Sequence, residues 1–402
     1  MRVFTVASTA GALLAVCAMS PAARAQDSTA ANERPWYDRL SIRGYAQFRY
    51  NRLLETNDRL KCPTCDRSIG ASGGFMLRRA RLVVSGDVND RVSFSIQPDF
   101  SSELGGRENT LVLRHYYADI FLDRARTVRA RIGQSEVPLG FEALQSSSRR
   151  APFDRADAME SSAPGEQDLG VFFLWTPRAV HQRFRELADA RHKGTNDYGV
   201  LALGAYNGQG GNRTELNDAP HVVARFAYPF RLPGGQYLEL DAHAYTGTYT
   251  VGTSQRTPGV GGADDFSDRR AGAALVLFPQ PLGVEMEWTA GRGPEYDAVT
   301  NSVVEQPQRG GYAMISYALH PGHARRLLAY ARAQYFDGAF KTDLDARHST
   351  VHEYEPGLEW EIDSGLELTA AYAISDRYYR DGANPDNHQR GRFLRLQAQL
   401  SF

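Results

Sequence analysis

Apolar and polar side chains alternate along most of this chain with a period of two. At the C-terminus Leu394, Leu396, Ala398, Leu400 and Phe402 interleave with Phe393, Arg395, Gln397, Gln399 and Ser401. An extended strand there carries one greasy face and one mostly polar face. The pattern recurs at Leu238, Leu240, Ala242 and Ala244 against Glu239, Asp241 and His243, at Val284, Met286 and Trp288 against Glu285 and Glu287, and at Leu358, Trp360 and Ile362 against Glu359 and Glu361. In the N-terminal half it marks Ala80, Leu82 and Val84 against Arg79 and Arg81, and Val128, Ala130 and Ile132 against Arg129 and Arg131. Sixteen segments are predicted as strands: 39–50, 74–86, 91–100, 111–123, 127–136, 168–178, 197–206, 219–229, 236–248, 268–278, 282–291, 309–319, 326–337, 351–362, 366–376 and 390–402.

The connections between these segments alternate in length. Long ones fall at 51–73, 101–110, 137–167, 207–218, 249–267, 292–308, 338–350 and 377–389, and short ones near 87–90, 124–126, 230–235, 279–281, 320–325 and 363–365. Residues 179–196 break the rule, being long where a turn is expected, and 181–187 read as a short helix. Short turns on one side and long loops on the other are the signature of an antiparallel transmembrane β-barrel with both termini on the periplasmic side. A soluble sandwich buries its apolar faces in one core and has no need of a polar second face on nearly every strand. The expected fold is therefore all-β, a closed barrel of about sixteen strands, wide enough to leave an aqueous lumen.

Composition narrows this further. The 402 residues are 42% hydrophobic and 11% aromatic with 37 glycines, too polar for a helical membrane protein and too aromatic for a disordered one. A formal net charge of -1 gives no bulk attraction to nucleic acid. Val3 to Met19 is the one long uncharged apolar run, and it precedes Ala23-Arg24-Ala25, which reads as a secretory leader cleaved after residue 25. The expected organisation is a leader at 1–25, a short periplasmic segment at 26–38 and the barrel at 39–402.

Lysine occurs only at positions 61, 193 and 341, so arginine carries almost all the positive charge. Strand parity points Arg43, Arg49, Arg79, Arg81, Arg129 and Arg131 into the lumen, all from the first third of the chain, with Asp99 and Asp119 beside them. It points Glu239, Asp241, Glu285, Glu287, Glu355, Glu359, Glu361 and Glu367 inward from the C-terminal strands. A basic wall would then face an acidic one, setting a field across the pore; solvation in a wide wet lumen accounts for the same acids without a role. The 137–167 loop carries Arg149, Arg150 and Arg155 beside Asp154, Asp157 and Glu160, and folded inward it would bring them, with Glu136 at its base, to the narrowest point. As a mere cap on the outer mouth it would not.

Cys62-Pro63-Thr64-Cys65 sits in the first long loop. No βαβ unit surrounds it and no further zinc ligands are paired nearby, so in an oxidising compartment a local disulfide is the expected state. No nucleophile elbow, metalloprotease histidine pair or phosphate-cradling glycine loop is present. No cofactor is expected, and a lipid-facing Ser-His hydrolase is the enzymatic alternative.

Several motifs in order resemble the phosphate-selective porin O and P family of Gram-negative outer-membrane channels: Arg78-Arg79-Ala80-Arg81-Leu82, Ile132-Gly133-Gln134-Ser135-Glu136-Val137-Pro138-Leu139-Gly140, Ala205-Tyr206-Asn207-Gly208 and Arg225-Phe226-Ala227-Tyr228-Pro229. The terminal Leu400-Ser401-Phe402 is similar to the end that the barrel insertion machinery reads. The resemblance implies a trimeric porin passing small anions such as phosphate, with its third long loop in the lumen. Glu136 stands where the family usually carries a lysine. Arginines in the outer loops would meet lipopolysaccharide. A general-diffusion porin and a plugged structural or adhesion barrel are the alternatives.

Overall fold

The computed structural model describes residues 36–54, 74–101, 110–163, 167–319, 325–380 and 387–402. The leader and Cys62 with Cys65 lie outside the described residues. Within 39–402 the chain forms one antiparallel barrel from sixteen strands: β1 (Leu40–Leu53), β2 (Gly74–Asn89), β3 (Val92–Ser101), β4 (Thr110–Phe121), β5 (Val128–Glu136), β6 (Gln167–Trp175), β7 (Leu201–Tyr206), β8 (His221–Arg231), β9 (Tyr237–Thr250), β11 (Asp265–Leu277), β12 (Leu282–Asp297), β13 (Ser302–Leu319), β14 (Leu327–Ala339), β15 (His348–Glu361), β16 (Leu366–Tyr379) and β17 (Asn387–Ser401). A two-residue segment in an outer loop, β10 (Gly261–Gly262), adds a short parallel ladder to β13.

Each strand pairs with its sequence neighbour, and β17 closes on β1 from Tyr45↔Ser401 to Leu53↔Phe393. The backbone of Phe402 completes the seam, donating its N–H to the Gly44 carbonyl at 3.0 Å and accepting the Gly44 N–H at 2.9 Å. Closure leaves no edge strand with unpaired backbone groups.

The distribution of side chains is the inverse of a soluble protein's. Ile42, Phe48, Phe75, Ile132, Trp288 and Trp360 are exposed, while Gln47, Arg49, Arg225, Glu239, Arg377 and Arg395 are buried. Period two sends apolar groups outward to lipid and charged groups inward. Local chemistry makes the periplasmic turns: the Asn89 side chain accepts the Arg91 and Val92 N–H groups, and Asp363 accepts those of Gly365 and Leu366. Gly234 and Gly235, both at positive φ, turn β8 into β9.

All sixteen segments predicted as strands are found, but the long loop expected at 292–308 is not. β12 and β13 pair continuously to Asp297↔Ser302 and leave a connection of only 298–301. Gly293, Pro294 and Pro307 read locally as breakers. The hairpin nevertheless extends because Val303 is buried among Tyr249, Val251, Phe266, Ala339 and Ala346 of the neighbouring loops and strands, a tertiary contact that overrides local propensity.

Candidate functional site

The described part of the connection between β5 and β6, residues 137–163, enters the barrel and crosses it. Its first turn needs glycine: Gly140 has φ +74°, and a Cβ there would lie 2.0 Å from a carboxylate oxygen of Glu287 on β12. That conformation delivers the N–H groups of Phe141 and Glu142 to Glu287 at 3.1 and 2.8 Å. Helix α1 (Asp157–Ser162) then packs Ala158 and Met159 against Tyr312, Tyr330 and Phe336 on the far wall.

Acids of the loop fasten it to arginines of the wall. Asp154 meets Arg49 at 3.1 Å, Arg78 at 3.6 Å and Arg79 at 3.8 Å, and also touches Arg395. Asp157 binds Arg377 at 2.7 Å and Glu142 binds Arg332 at 3.3 Å. Burial opposes the charge of Asp154, but the surrounding guanidiniums outweigh it and hold the carboxyl well below the usual carboxylate range. Ser147 adds neutral contacts, its hydroxyl meeting Tyr45 at 2.7 Å and accepting from Arg81 at 2.9 Å.

The loop's own arginines play a smaller part in this docking. Arg155 donates to the carbonyls of Glu142, Ala143 and Gln145, and Arg149 to Asn196. Arg150 is buried, and none of its guanidinium nitrogens bonds to a described residue.

Two lumen arginines were invisible to strict alternation. Gln47 pairs with Arg79 but Phe48 with Leu77, so Arg78 is an extra residue in the ladder. Across β3 and β4 the register steps from Gln97↔His115 to Pro98↔Leu113, making Arg114 the extra one. Each bulge turns an arginine inward that parity assigns to lipid: Arg78 to Asp154, and Arg114 to within 4.0 Å of Asp99. The signal was two adjacent strongly polar residues, Arg78-Arg79 and Arg114-His115, inside an otherwise alternating strand.

Of the residues expected to line the lumen, Arg49, Arg79, Arg81, Arg129 and Arg131 are buried inside, and Arg43 is exposed at the periplasmic mouth. Arg81 pairs with Asp99 at 2.7 Å, Arg131 with Asp119 at 2.8 Å, and Arg129 with Asp119 at 3.5 Å and Asp197 at 3.8 Å. Glu136 at the base of the loop is matched by His115 at 2.8 Å. Inward arginine extends beyond the six expected from the first third: Arg225, Arg270, Arg332, Arg377 and Arg395 are also buried on the inner face. Ring closure sets β17 beside β1, so a linear reading cuts one basic wall in two.

The acids are inside as expected, yet several have cationic partners. Glu239 and Asp241 share Arg225 at 3.5 and 2.5 Å, Glu361 takes Arg326 at 2.7 Å, and Glu359 takes Lys193 at 2.6 Å. Glu285 is met by the Tyr312 hydroxyl at 2.6 Å, and Glu287 by the loop's backbone.

Polar groups do not line the whole lumen. The long periplasmic connection 176–200 forms helix α2 (Arg178–Asp189), whose Val180, Phe184 and Leu187 pack with Phe141, Tyr237, Val276 and Phe278. Val137 and Leu139 pack on Phe172, Leu174, Val223 and Tyr245, so loop and helix together make an apolar plug against β6–β11. Beyond α2 the chain continues as a strap to Lys193, which lies against Glu359 and within 3.7 Å of Glu367. Arg149 ties this strap to the inner loop through Asn196. A cavity of about 320 Å³ lined by His192, Lys193, Arg326, Glu361 and Glu367 borders it on the acidic side. Another of about 440 Å³, lined by Arg43, Tyr45, His115, Arg131, Glu136 and Tyr198, borders it on the basic side.

Comparison with known proteins agrees with this architecture. No curated protein matches the chain. Among solved structures it is similar to the outer membrane channel DcaP of Acinetobacter baumannii, at 15% identity and TM-score 0.56 with 90% of this chain and 97% of that one covered. Salmonella typhi OmpF follows at 10% and 0.57 over the same shares, and an anion-selective porin from Comamonas acidovorans at 9% and 0.54 over 90% and 99%. The family described as phosphate-selective porin O and P matches residues 57–402. With a closed barrel, charges turned inward and a loop pinned across the lumen, the chain belongs to that family and is an outer-membrane porin.

Proposed function

We propose that the lumen passes small hydrophilic anions, phosphate among them, down their gradient, without catalysis, cofactor or energy source. The carrying observation is the balance of charge at the constriction. Arg49, Arg78, Arg79 and Arg395 all stand in ion-pair range of the single carboxylate of Asp154, Arg395 reaching Glu355 as well, and Arg150 is buried in the same loop. Surplus fixed positive charge where water is scarce raises the local anion concentration. Planar guanidiniums also match phosphate oxygens with paired hydrogen bonds and cannot be titrated away.

The family's description and the anion selectivity named for the Comamonas acidovorans porin support the same direction. In this reading residues 1–25 are removed on export, 39–402 insert through recognition of Phe402, three copies assemble in a Gram-negative outer membrane, and lipopolysaccharide surrounds them.

A general-diffusion porin is the second reading, favoured by Glu285 and Glu287, which face the lumen with no arginine or lysine in ion-pair contact among the described residues. The apolar plug favours a third, a closed structural barrel. Planar-bilayer recording separates all three. Stepwise conductance with a reversal potential of anionic sign in a salt gradient, and block of chloride current by millimolar phosphate, is the expected result. A potential near zero would leave general diffusion, and absent conductance would leave the plugged barrel.

A further inference from the structure

We propose that the outward face of β11–β14 binds a phosphate-bearing lipid of the outer leaflet, with phosphates on Arg269, Arg292 and Arg309 and an acyl chain in the groove beneath. This rests on the proposed placement of the barrel in a Gram-negative outer membrane, with its short turns on the periplasmic side. Arg269 and Arg292 oppose each other directly across β11 and β12, and Arg309 opposes Ala290 one step nearer the membrane. All three share the outward parity of Ala271, Trp288 and Gly311.

Like charges directly opposed on a sheet repel, and here little offsets them. Arg269 makes no hydrogen bond or ion pair with any described residue. Arg292 reaches only the backbone carbonyl of Glu305 at 3.4 Å, and Arg309 pairs with Asp337 at 3.4 Å. The Glu305 carboxylate is the other acid nearby, and it accepts the Ser267 N–H. Three guanidiniums against two carboxylates leave a site that an anion would complete.

Its height suits a headgroup. From Arg309 down β13 to Leu319 the outward positions carry no charge: Gly311, Ala313, Ile315, Tyr317. Ten residues at a rise of about 3.4 Å and a tilt of about 40° span roughly 26 Å, the height of a barrel's apolar band. Arg309 therefore marks the outer end of that band, with Arg269 and Arg292 just above it.

Directly below lies a groove of about 560 Å³. Ala273, Gly311, Ala313 and Ala333 form its floor, and Trp288, stacked on Tyr335 at 6.0 Å, forms a wall. Lipid tails are as apolar as this groove, so the recess alone selects nothing. Selection comes from guanidinium–phosphate pairing above, and the recess gives the attached chain a place to pack. A twofold contact with a second copy would set the same three arginines against each other, which disfavours that occupant.

The test is native mass spectrometry of the intact mature protein in detergent with added diphosphorylated lipid A, its phosphate-free form, and inorganic phosphate alone. Retention of the diphosphorylated lipid is expected, weakened at least about tenfold in the triple variant Arg269→Gln, Arg292→Gln, Arg309→Gln. Single-channel conductance of that variant should be unchanged, since the lumen lies on the other face. Equal retention by the variant, equal retention of the phosphate-free lipid, or binding of inorganic phosphate with no preference for the acylated form would overturn the proposal. So would a Gly311→Leu variant that loses its oligomeric state while keeping lipid. No retention of the diphosphorylated lipid by the wild type beside normal conductance refutes this site and spares the porin reading; absent conductance in the wild type refutes that reading instead.

Discussion

Arg49 on β1 and Asp154 in the inner loop meet at 3.1 Å, and neither side chain is more than 2% exposed. Asp154 is the point where the loop is fastened to the seam of the barrel, because Arg395 of β17 touches the same carboxylate. Replacing Asp154 by Asn removes one negative charge and leaves Arg49, Arg78, Arg79 and Arg395 facing one another. Breaking a buried pair costs about 3–5 kcal/mol, enough to loosen the loop. Single-channel records of D154N should show frequent conductance fluctuations and a reversal potential displaced further toward anions. A quiet channel of unchanged selectivity would mean that Asp154 does not govern the constriction.

Arg78 offers a cleaner change, because it is the extra residue of a bulge. Deleting it joins Leu77, which faces lipid, to Arg79, which faces the lumen, so regular alternation is restored on both sides. The deletion should fold, showing the heat-dependent gel mobility of an intact barrel, and lose one positive charge near Asp154. Deleting Arg79 instead leaves Arg78 to take its inward place with the same alternation, so the two deletions should behave alike. If either fails to fold, the bulge is indispensable and its reading as an insertion is wrong.

The strands were legible because a barrel in lipid imposes period two on every spanning segment, and the inward set from Arg49 to Glu361 follows from parity alone. What escaped was set by relations between distant parts of the chain. Arg377 and Arg395 share their strands' inward parity with Glu367 and Gln397, yet only ring closure makes them neighbours of Arg49. Arg78 and Arg114 required a register step, which a single strand does not display. The inner loop was recognisable by its length and charges, but its acids rather than its arginines hold it. That choice depends on the wall it meets. The apolar plug was hidden because Phe172, Leu174 and Val223 look like errors in a polar face until Val137 and Leu139 are set against them, and Val276 does until α2 and Phe141 are.

Arg79, Arg81, Arg129 and Arg131 each lie within 4 Å of a carboxylate, so substitution does more than delete charge. Changing all four to Gln removes four positive charges and exposes Asp99 and Asp119. The reversal potential in a salt gradient should move toward cations, and phosphate should block chloride current less. An unaltered potential would mean that ions travel along another wall.

Acidity should tighten the periplasmic strap. His181 on α2 contacts Asp197 and also meets the Arg126 carbonyl at 3.0 Å. The hydrogen bond to Asp197 raises its pKa, against burial and the nearby Arg129. A raised imidazole pKa contributes stability that is full below the ordinary value of about 6.5 and is lost as pH climbs through the raised one. Asp197 is held at about 2, where His181 and Arg129 overcome burial, so its contribution persists until strong acid. Protection of residues 178–197 from hydrogen exchange, relative to the intrinsic rate at each pH, should therefore be greater at pH 6 than at pH 9, and His181→Gln should remove the difference. Equal protection at both values in the wild type would exclude this pair as an anchor.

Lys193 decides whether the strap narrows the pore. It is one of three lysines in the chain, it is buried, and it lies between Glu359 on β15 and Glu367 on β16. Lys193→Ala removes the end contact while Val180, Phe184 and Leu187 keep α2 on its apolar bed. The freed segment should stop bridging the mouth, so conductance should rise, and the two uncovered glutamates should shift selectivity toward cations. Lys193→Arg keeps the charge and should restore both properties, which separates an electrostatic clasp from mere bulk. Conductance equal in all three proteins would mean that ions bypass the strap through the cavity beside Arg131 and Tyr198.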